Sequence, residues 1–362
     1  MAFRRDPGGQ VRVKTGRLAS MASLKPQDGS LRQSAGVQST IVGLSSHAAD
    51  LCLDPCRHHH STVAQRPLRR HFVLTDVALA TCAVLPDLDD DERGLIRALE
   101  VCGLAAEPRV WDDPSVRWED VRLVVIRSTW DYAERRDAFL EWCAGVPRVL
   151  NSVPVIRWNT DKTYLRDLEA AGVPTVPTTW VGVDSHAGDF LLPEGHLVVK
   201  PVISSGSQHT ARYDPSGQAA ARIHVERLLT GGRAVMVQPY VTSVDADGET
   251  GMIYIDGAFS HAVRKGPLLQ APGVATDQLW ALEDITPRSA AADERAVAEA
   301  TLDTLPWPRE ALLYARVDLV RGIDGAPLLL ELELTEPSLF LRLERGAAAR
   351  LAEAIAVRLG QG

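Results

Sequence analysis

The stretch "RVDLVRGIDGAPLLLELELTEP", residues 316–337, decides the fold of this chain. Two runs rich in Val and Leu flank the turn sequence Gly-Ile-Asp-Gly, which predicts an antiparallel β-hairpin. Glu331 and Glu333 share one face of the second strand, because residues i and i+2 of a strand point the same way. Folding back at the turn brings Asp318 roughly opposite Glu331. Three carboxylates on one face repel each other unless a cation lies between them, so the pattern indicates a cation site.

The overall composition favours a folded protein that binds a small molecule. The chain has 362 residues, of which 45% are hydrophobic and 24% charged, enough for one large core and, we expect, two. The net charge of -8 argues against nucleic acid as a partner. No apolar run approaches the roughly 18 to 20 residues of a membrane span, and the first residues lack the apolar centre of a secretory signal. Five irregularly spaced cysteines favour a reducing cytoplasm over a disulfide framework.

Residues 1–70 differ from the rest of the chain. They carry more Arg and Lys than acids and show no sustained apolar period, so we expect a disordered arm. A targeting arm is one alternative, and translation starting downstream of Met1 is another, since regular patterning begins only near Phe72. The segment "CLDPCRHHH" offers five side chains as metal ligands: Cys52, Cys56, His58, His59 and His60. Zinc sites usually have two ligand pairs separated by a folding segment, so we favour the interpretation without a metal.

Residues 71–157 alternate between buried-strand runs, such as "DVALATCAV" and "VRLVVIRST", and helical patterns. This rhythm predicts an open, mainly parallel α/β unit. No GxGxxG or Walker loop follows the first strand, so a dinucleotide or P-loop site is not indicated. Any ligand of this unit should lie at the carboxyl ends of its strands. "RSTWDY" occupies such an end, and its candidates for holding a substrate are Arg127, Ser128, Thr129 and Asp131. The alternative, not disfavoured, is that Trp130 and Tyr132 cap the core while Arg127 pairs with a local acid.

Two lysines in the next segment lie where phosphate oxygens could be bound. "NTDKTYLRDLEAAGVP" predicts a helix with Lys162 in its first turn, where a cation is unfavourable unless an anion is near. "HLVVKP" predicts a strand ending at Lys200, and the small-residue loop after it contains Ser205 and Gly206. Taken singly, Lys162 could also be a solvated surface lysine, and the loop an ordinary hairpin loop.

The following strands offer groups that suit a nucleotide. "AVMVQPYV" predicts a buried strand with Gln238 in it, and Pro239 interrupts its ladder in a way that suits an adenine ring. Glu249 stands just before the next strand, where it could accept the hydroxyls of a ribose. Lys265 ends the strand after the Asp256-Gly257 turn and adds positive charge.

The order of these elements resembles the ATP-grasp superfamily of carboxylate-activating ligases over residues 74–345. The resemblance rests on six elements in the same order: Asn159–Lys162, Lys200-Pro201 with its loop, Gln238–Val241, Gly248-Glu249, Arg316–Asp318 and Glu331–Glu333. It implies, after the parallel-sheet unit, a nucleotide-binding lobe at about residues 158–240 and a C-terminal metal-binding lobe at about residues 241–362, with the nucleotide between them. It also implies ATP with two Mg²⁺ ions, or Mn²⁺, held by three acids: Asp318, Glu331 and Glu333.

The resemblance also implies roles for the other residues. Lys162, Lys200, Ser205 and Gly206 would contact phosphates, while Gln238 and the backbone of Pro239 and Val241 would read adenine. Glu249 would hold the ribose, and Arg316 would stabilise the charge on the γ-phosphoryl group. The family often has Asn where this chain has Glu333, and the extra charge should strengthen metal binding. The competing interpretation of the acids is a structural ion-pair network with arginines such as Arg321 or Arg342.

The segments "RSTWDY", "SHAVRK" and "ELELTEP" resemble a glutathione-synthetase-like branch that contains the O-ureido-serine cyclo-ligase of cycloserine biosynthesis. The branch implies that ATP converts a substrate carboxylate to an acyl phosphate, which a nitrogen nucleophile attacks with release of ADP and phosphate. Lys265 and Arg127 would grip the carboxylate, and loop 203–209 would close over ATP. Cycloserine formation and another amino-acid or peptide ligation stay open, as does a homo-oligomer. The alternatives are a small-molecule kinase without condensation and a non-catalytic nucleotide-binding module.

Overall fold

Strands and helices alternate at the start of the described chain. The computed structural model describes residues 75–186, 189–269, 273 and 283–360, so the predictions for residues 1–70 and their Cys/His cluster lie outside the described residues. The first elements are β1 (Thr75–Thr81), α1 (Arg93–Val101), β2 (Ala106–Val110), β3 (Val121–Ser128), α2 (Arg136–Gly145) and β4 (Val149–Leu150). The four strands pair in the order β2-β1-β3-β4, all parallel. This confirms the predicted open parallel sheet.

A small antiparallel sheet follows. Its elements, with the helices around them, are α3 (Val153–Asn159), α4 (Tyr164–Ala170), β5 (Thr179–Val181), β6 (Leu197–Pro201), β7 (Ala211–Tyr213), α5 (Gln218–Thr230) and β8 (Val235–Pro239). The strand order is β5-β8-β6-β7. Lys162 lies in the turn before α4 rather than in the first turn of a helix, because α3 ends at Asn159 and α4 begins only at Tyr164.

A second antiparallel sheet carries the acidic hairpin. Its elements are α6 (Val244–Asp247), β9 (Glu249–Ile255), β10 (Ala258–Lys265), β11 (Ile285–Arg288), α7 (Ala292–Asp303), β12 (Tyr314–Arg321), β13 (Pro327–Glu333) and α8 (Ala347–Gly360), with strand order β11-β10-β9-β12-β13. The predicted turn between β9 and β10 is present, and both of its central residues have positive φ, 53° at Asp256 and 75° at Gly257. The parallel sheet followed by two antiparallel sheets confirms the predicted fold class.

The parallel sheet and the hairpin sheet share one hydrophobic core. Leu79 and Leu95 belong to the same buried cluster as Ile253 and Ile355. The predicted domain boundary at residue 157 falls inside α3, whose buried residues divide between two further cores. A helix that packs in both cores is not a flexible linker. The domain boundary at residue 157 therefore stays a prediction.

Asn159 fixes the hairpin from the side. Its Nδ2 donates to Leu332 O at 2.8 Å, and its Oδ1 accepts from Leu334 N at 2.7 Å. Because both amide atoms bind backbone of or next to β13, the end of that strand is held against α3. Across the described residues, no helix combines the length and apolarity needed to cross a bilayer. Cys82, Cys102 and Cys143 are free thiols.

Candidate active site

The carboxylates of the hairpin occupy the positions that the sequence predicted. Asp318 pairs with Glu331, and Arg316 pairs with Glu333, in the register of β12 and β13. The Asp318 side chain is 1% exposed, whereas those of Glu331 and Glu333 are 25% and 26% exposed. The hairpin therefore has a buried acid in its centre and two more accessible acids at its end.

Asp318 is held by two cations. Arg316 donates to both of its oxygens, Nε to Oδ1 at 2.9 Å and Nη2 to Oδ2 at 3.0 Å. Lys265 Nζ lies 2.9 Å from Oδ2. Burial by itself would raise the pKa of Asp318, but these two cations outweigh burial and lower it to about 2. Asp318 is therefore charged at neutral pH.

The negative charges of the two outer acids, Glu331 and Glu333, are compensated less completely by neighbouring cations. Arg316 Nη2 also lies 2.5 Å from Glu333 Oε1, and Lys162 Nζ lies 3.1 Å from Glu331 Oε1. Burial raises the pKa of Glu333 to about 7 against the opposing effect of Arg316, with Glu331 and Asp318 raising it further. Burial also acts to raise the pKa of Glu331, but Lys162 and Lys200 lower it on balance. The hairpin thus keeps negative charge that the neighbouring cations do not fully neutralise.

The assignment of Asp318, Glu331 and Glu333 as metal ligands stays a prediction. Among the residues that the structure describes, no three His, Cys, Asp or Glu side chains come together as a metal-binding group. Cations separate the acids instead, and they are not those that the alternative named: Arg321 pairs with Asp293 and Glu294, and Arg342 with Asp91. The donor chemistry nevertheless fits a hard divalent cation, because all three side chains offer carboxylate oxygens.

Three buried lysines converge beside these acids. Lys162 Nζ donates to Ser204 O at 2.7 Å and lies 3.2 Å from its Oγ. Lys200 is 9% exposed, and burial, together with repulsion from Lys162 and Lys265, lowers its pKa although Glu331 and Glu249 oppose this. Three ammonium groups that influence one another's charge make a favourable place for an anion such as a phosphate chain.

Glu249 faces Lys265 across β9 and β10. The two residues are partners in the strand register, and Nζ lies 3.1 Å from Oε2. Burial raises the pKa of Glu249 despite the lysine. Gly248 precedes it with φ of 71°, and a Cβ there would lie 2.5 Å from Lys265 O. Only glycine fits this close approach of the two backbones.

The small-residue loop after β6 adopts a left-handed backbone at three positions: Gly206, Ser207 and His209, with φ of 57°, 61° and 55°. Ser205 is 7% exposed and its carbonyl accepts from Gln208 N at 3.1 Å. His209 Nε2 lies 3.3 Å from Glu134 Oε1. The loop is therefore bonded both within itself and to the segment that follows the parallel sheet's third strand.

The buried amide of Gln238 has a hydrogen-bond partner. Its Nε2 donates to Thr178 Oγ1 at 2.9 Å, and the residue is 3% exposed. Pro239 and Val241 are half-buried just after it, and the intervening Tyr240 N donates to His196 O at 2.8 Å. The binding of adenine by Gln238, Pro239 and Val241 stays a prediction.

Arg127 and Ser128 bond other groups than the three hairpin acids in the described part of the chain. Arg127 donates to both oxygens of Glu92, Nε to Oε2 at 2.8 Å and Nη2 to Oε1 at 2.5 Å, and is 1% exposed. Ser128 is fully buried, and its Oγ accepts from Asp89 N at 3.2 Å. Because the guanidinium is committed to a local acid, the geometry favours the alternative interpretation of Arg127, and we no longer count it among the substrate ligands.

Two residues of the site were not singled out from the sequence. Ser204 bonds Lys162, although the prediction fell on its neighbour Ser205. Glu336 is 9% exposed, and burial together with Glu333 raises its pKa to about 8. Strand alternation ends at Glu333, so periodicity gave no direction for Glu336; its signal was a third acid in "ELELTEP".

Comparison with known proteins identifies relatives over most of the chain. Residues 77–151 match the family model described as the N-terminal domain of D-cycloserine synthetase DcsG. The cycloserine biosynthesis protein DcsG of Streptomyces lavendulae is 43% identical over 299 residues, which cover 78% of this chain and 98% of that protein. The crystal structure of D-cycloserine synthetase DcsG superposes with a TM-score of 0.71 at 42% identity and covers 78% of this chain and 99% of that one.

A more distant match concerns the fold alone. The ATP-grasp ligase PsnB, in complex with a phosphomimetic variant of its minimal precursor, Mg and ADP, gives a TM-score of 0.50 at 18% identity. The match covers 79% of this chain and 99% of that one. The arrangement of the sheets is therefore shared beyond close relatives.

Proposed function

We propose a function from the premise that this chain belongs to the DcsG family of ATP-grasp ligases. The chain is an ATP-dependent ligase that forms a carbon–nitrogen bond. As its reaction, we propose the ring closure of O-ureido-D-serine in cycloserine biosynthesis. The observation that carries the proposal is the meeting of three buried lysines and Arg316 with the acids of the hairpin.

ATP would bind between the two antiparallel sheets. Lys162, Lys200 and the loop with Ser205 and Gly206 would face its phosphates, and Glu249 its ribose. The adenine would lie at Gln238, Pro239 and Val241. Asp318, Glu331 and Glu333 would hold Mg²⁺, which would supply neutralisation of the phosphate charge. Burial, together with repulsion from Lys162 and Lys265, lowers the pKa of Lys200, and this supports the placement because a triphosphate would offset both effects.

The chemistry would proceed in two transfers. A carboxylate oxygen of the substrate would attack the γ-phosphorus of ATP, giving an acyl phosphate and ADP. The N–H that carries the carbamoyl group of the same molecule would then attack the acyl carbon and lose its proton, and phosphate would leave. Hydrolysis of the N-carbamoyl group by a water molecule would release carbon dioxide and ammonia and leave cycloserine. Arg316 is fixed by Asp318 and Glu333, so its guanidinium would meet the charge that develops on the γ-phosphoryl group without reorganising.

Lys265 would hold the substrate carboxylate or the phosphoryl oxygens next to it. Burial alone would lower its pKa, but Asp318 and Glu249 raise it well above the ordinary value, so the side chain keeps its positive charge. We also infer that the enzyme works in the cytoplasm, in keeping with the free thiols of the described cysteines.

The test measures ADP release and product together. With O-ureido-D-serine and MgATP, the enzyme should release ADP, and mass spectrometry should detect cycloserine. Phosphorylated substrate without a ring product would favour the kinase alternative. ADP release only with other amino acids or peptides would keep the ligase assignment and replace the substrate, whereas no ADP with any carboxylate would contradict the proposal.

A further inference from the structure

A series of hydrogen bonds runs from α8 through β10 to the segment that follows β13. Arg350 Nη2 donates to Ser260 Oγ at 2.8 Å, and Ser260 Oγ lies 2.9 Å from His261 Nδ1. His261 Nε2 lies 3.0 Å from Leu339 O. The imidazole is 6% exposed, whereas the Arg350 side chain is 41% exposed. The series therefore contains a buried histidine with a partner on each ring nitrogen.

The partners of His261 fix the position of its proton. A backbone carbonyl only accepts hydrogen bonds, so Nε2 carries the proton that is donated to Leu339 O. Burial lowers the pKa of His261, although the bond to Leu339 opposes this, so the ring is neutral at neutral pH. Nδ1 of the neutral ring is an acceptor and takes the hydroxyl proton of Ser260, whose oxygen accepts from Arg350. Every donor in the series thus points towards Leu339 O.

A β-bulge makes this arrangement possible. Phe259 pairs with Tyr254 and His261 with Ile253, so the register between β10 and β9 leaves Ser260 as an extra residue. Neighbouring residues of a regular strand point to opposite faces, so Ser260 and His261 could not bond each other without the bulge. Bulges often redirect a side chain beside an active site. This one turns the imidazole and its hydroxyl partner to the same side.

His261 and Arg316 lie in the same row across the strands of the sheet. The register pairs His261 with Ile253 on β9, and Ile253 with Arg316 on β12. Directly opposed residues of antiparallel strands point to the same face, so the two side chains reach the same side of the sheet. There they bind consecutive carbonyls: Arg316 Nη1 donates to Ser338 O at 3.0 Å, and His261 Nε2 donates to Leu339 O. A displacement of Leu339 O therefore moves Ser338 O as well.

The carbonyl of Ser338 is the uncharged anchor of Arg316. The other acceptors of this guanidinium are Asp318 and Glu333, two of the acids that we assign to the metal. Acids that bind a metal ion attract the guanidinium less strongly, because their charge is then shared with that ion. A backbone carbonyl has no such charge to share. The hold of Ser338 O on Arg316 therefore matters most when the site is loaded.

The residue after Leu339 also contacts Arg316. Phe340 has a φ of 51°, a left-handed conformation that is strained for a residue with a side chain. Its ring centroid lies 5.7 Å from Arg316 Cζ, within the range of a cation–π contact. The bond from His261 holds the carbonyl of the peptide that enters Phe340. His261 thus fixes the backbone on both sides of the two groups of this segment that contact the guanidinium.

We propose that His261 is a positioning residue for Arg316. By fixing Leu339 O it holds Ser338 O and the ring of Phe340 in place, and these orient the guanidinium towards the phosphoryl group that is transferred. Ser260, with Arg350 behind it, fixes the tautomer that makes the bond to Leu339 O. The inference rests on the proposed function, in which Arg316 meets the charge that develops on the γ-phosphoryl group. His261 acts through Arg316 and has no assigned contact with ATP or substrate.

The test compares two substitutions that keep different halves of the imidazole. The amide of His261→Gln reaches the position of Nε2, whereas the shorter amide of His261→Asn reaches only that of Nδ1 and leaves Leu339 O without a donor. With MgATP and O-ureido-D-serine, His261→Asn should lower kcat for ADP release about 10-fold or more and keep the KM for ATP within about twofold, because only transition-state contacts weaken. His261→Gln should keep kcat within about threefold of the wild type. His186→Asn, the same change at an exposed position, should alter neither constant.

A double-mutant cycle distinguishes positioning from a merely structural role. In Arg316→Lys, the ammonium group lacks the guanidinium fork that spans Asp318 and Ser338 O. His261→Asn should therefore lower kcat by less than about twofold in that background, since the two residues act through one contact. A further loss of about 10-fold in Arg316→Lys would overturn the proposal. Equal kcat values in His261→Asn and His261→Gln would overturn it as well.

Crystal structures separate this inference from the proposed function. With a non-hydrolysable ATP analogue and Mg²⁺ bound, Arg316 Nη1 should stay within hydrogen-bond distance of Ser338 O in the wild type and His261→Gln, and should leave it in His261→Asn. This result stands even if O-ureido-D-serine gives no ADP, an outcome that counts against the proposed function alone. An Arg316 that keeps this bond in His261→Asn overturns the positioning role. If His261→Asn does not fold, Ser260→Ala, which removes the donor to Nδ1, should displace Arg316 from Ser338 O, and an undisplaced Arg316 there overturns the proposal.

Discussion

Asp318 and Glu331 lie directly opposite each other on neighbouring antiparallel strands, and each is paired with a different cation. Opposed like charges destabilise a sheet, so the ligand-free protein depends on Lys265 and Arg316 at one acid and on Lys162 at the other. Lys162 and Lys265 are also among the groups that we assign to phosphates or substrate. Binding of MgATP would therefore exchange partners, with the acids passing to the metal and the lysines to the nucleotide.

This exchange makes Glu331→Gln a sharp test of the metal assignment. The substitution keeps the shape and removes one charge, and Lys162 still bonds Ser204. We expect kcat for ADP release to fall by about 100-fold or more, since a metal ligand is lost, while the melting temperature changes little. The control is Glu353→Gln, the same change at an exposed position of α8, which should match the wild type. Activity within twofold of the wild type in Glu331→Gln would contradict the assignment.

Lys200→Met should separate nucleotide binding from folding. Burial, with repulsion from Lys162 and Lys265, lowers the pKa of Lys200, so the folded protein gains little from its charge. We expect ATP to bind about 10- to 100-fold more weakly, by the loss of one buried phosphate contact, and the ligand-free variant to be at least as stable as the wild type. An unchanged ATP dissociation constant in calorimetry would reject the phosphate role.

The difference in stability between the wild type and Lys200→Met should depend on pH, and the direction of that dependence follows from the lowered pKa of Lys200. A lysine whose pKa is lower in the folded state binds fewer protons there than in the unfolded chain, in which its value is near 10.5. The free energy of unfolding of the wild type, relative to Lys200→Met, should therefore rise as the pH increases from the lowered pKa towards 10.5. Urea unfolding of both proteins across this range measures the difference, and a falling difference would contradict the burial of a charged lysine.

The sequence predicted what local periodicity can encode. Apolar runs located the buried strands, and the position of the Gly-Ile-Asp-Gly turn gave the register that places Asp318 opposite Glu331. Alternation says which face a residue takes, but not which distant side chain meets it. The partner of Arg127 is Glu92, 35 residues upstream, and no pattern in either segment indicates that pair.

Glu336 is a second residue whose surroundings local sequence patterns could not predict. It follows the strand, in a segment whose backbone carbonyls, from Thr335 to Leu339, accept hydrogen bonds from five side chains that lie between 21 and 210 residues away in sequence. Lys162 was placed on a helix because its segment has helical spacing. In the structure it lies in the turn before α4, where its N–H donates to Val202 O at 3.1 Å. Turn geometry of this kind is set by tertiary contacts.

Arg127→Met should destabilise the folded protein, because it leaves Glu92 buried without its cation. Both side chains are almost fully buried, at 0% and 3% exposure. We expect a loss of about 3 to 5 kcal/mol in the free energy of unfolding, and a smaller loss in Arg127→Met/Glu92→Leu, where no charge is left unpaired. The control is Arg93→Met, whose ion pair with Asp90 is more than half exposed and should be worth no more than about 1 kcal/mol. Equal losses of unfolding free energy in the two single variants would show that the buried ion pair contributes no more to stability than the exposed one.

Gly251→Ala should damage the site without removing a charged group. Gly251 lies opposite Asp318 on β9, and a Cβ there would be 3.2 Å from both Asp318 Oδ1 and Val263 Cγ2. Asp318 is fixed by two cations and Val263 is fully buried, so neither can move aside freely. We expect the free energy of unfolding to fall by about 1 to 3 kcal/mol and kcat to fall about 10-fold or more, because Asp318 is displaced. Gly94→Ala is the matched control: its Cβ would meet nothing within 4 Å, and in α1 the change should stabilise by up to about 1 kcal/mol with kcat unchanged. If Gly251→Ala turned over as fast as Gly94→Ala, the position of Asp318 would not govern the reaction.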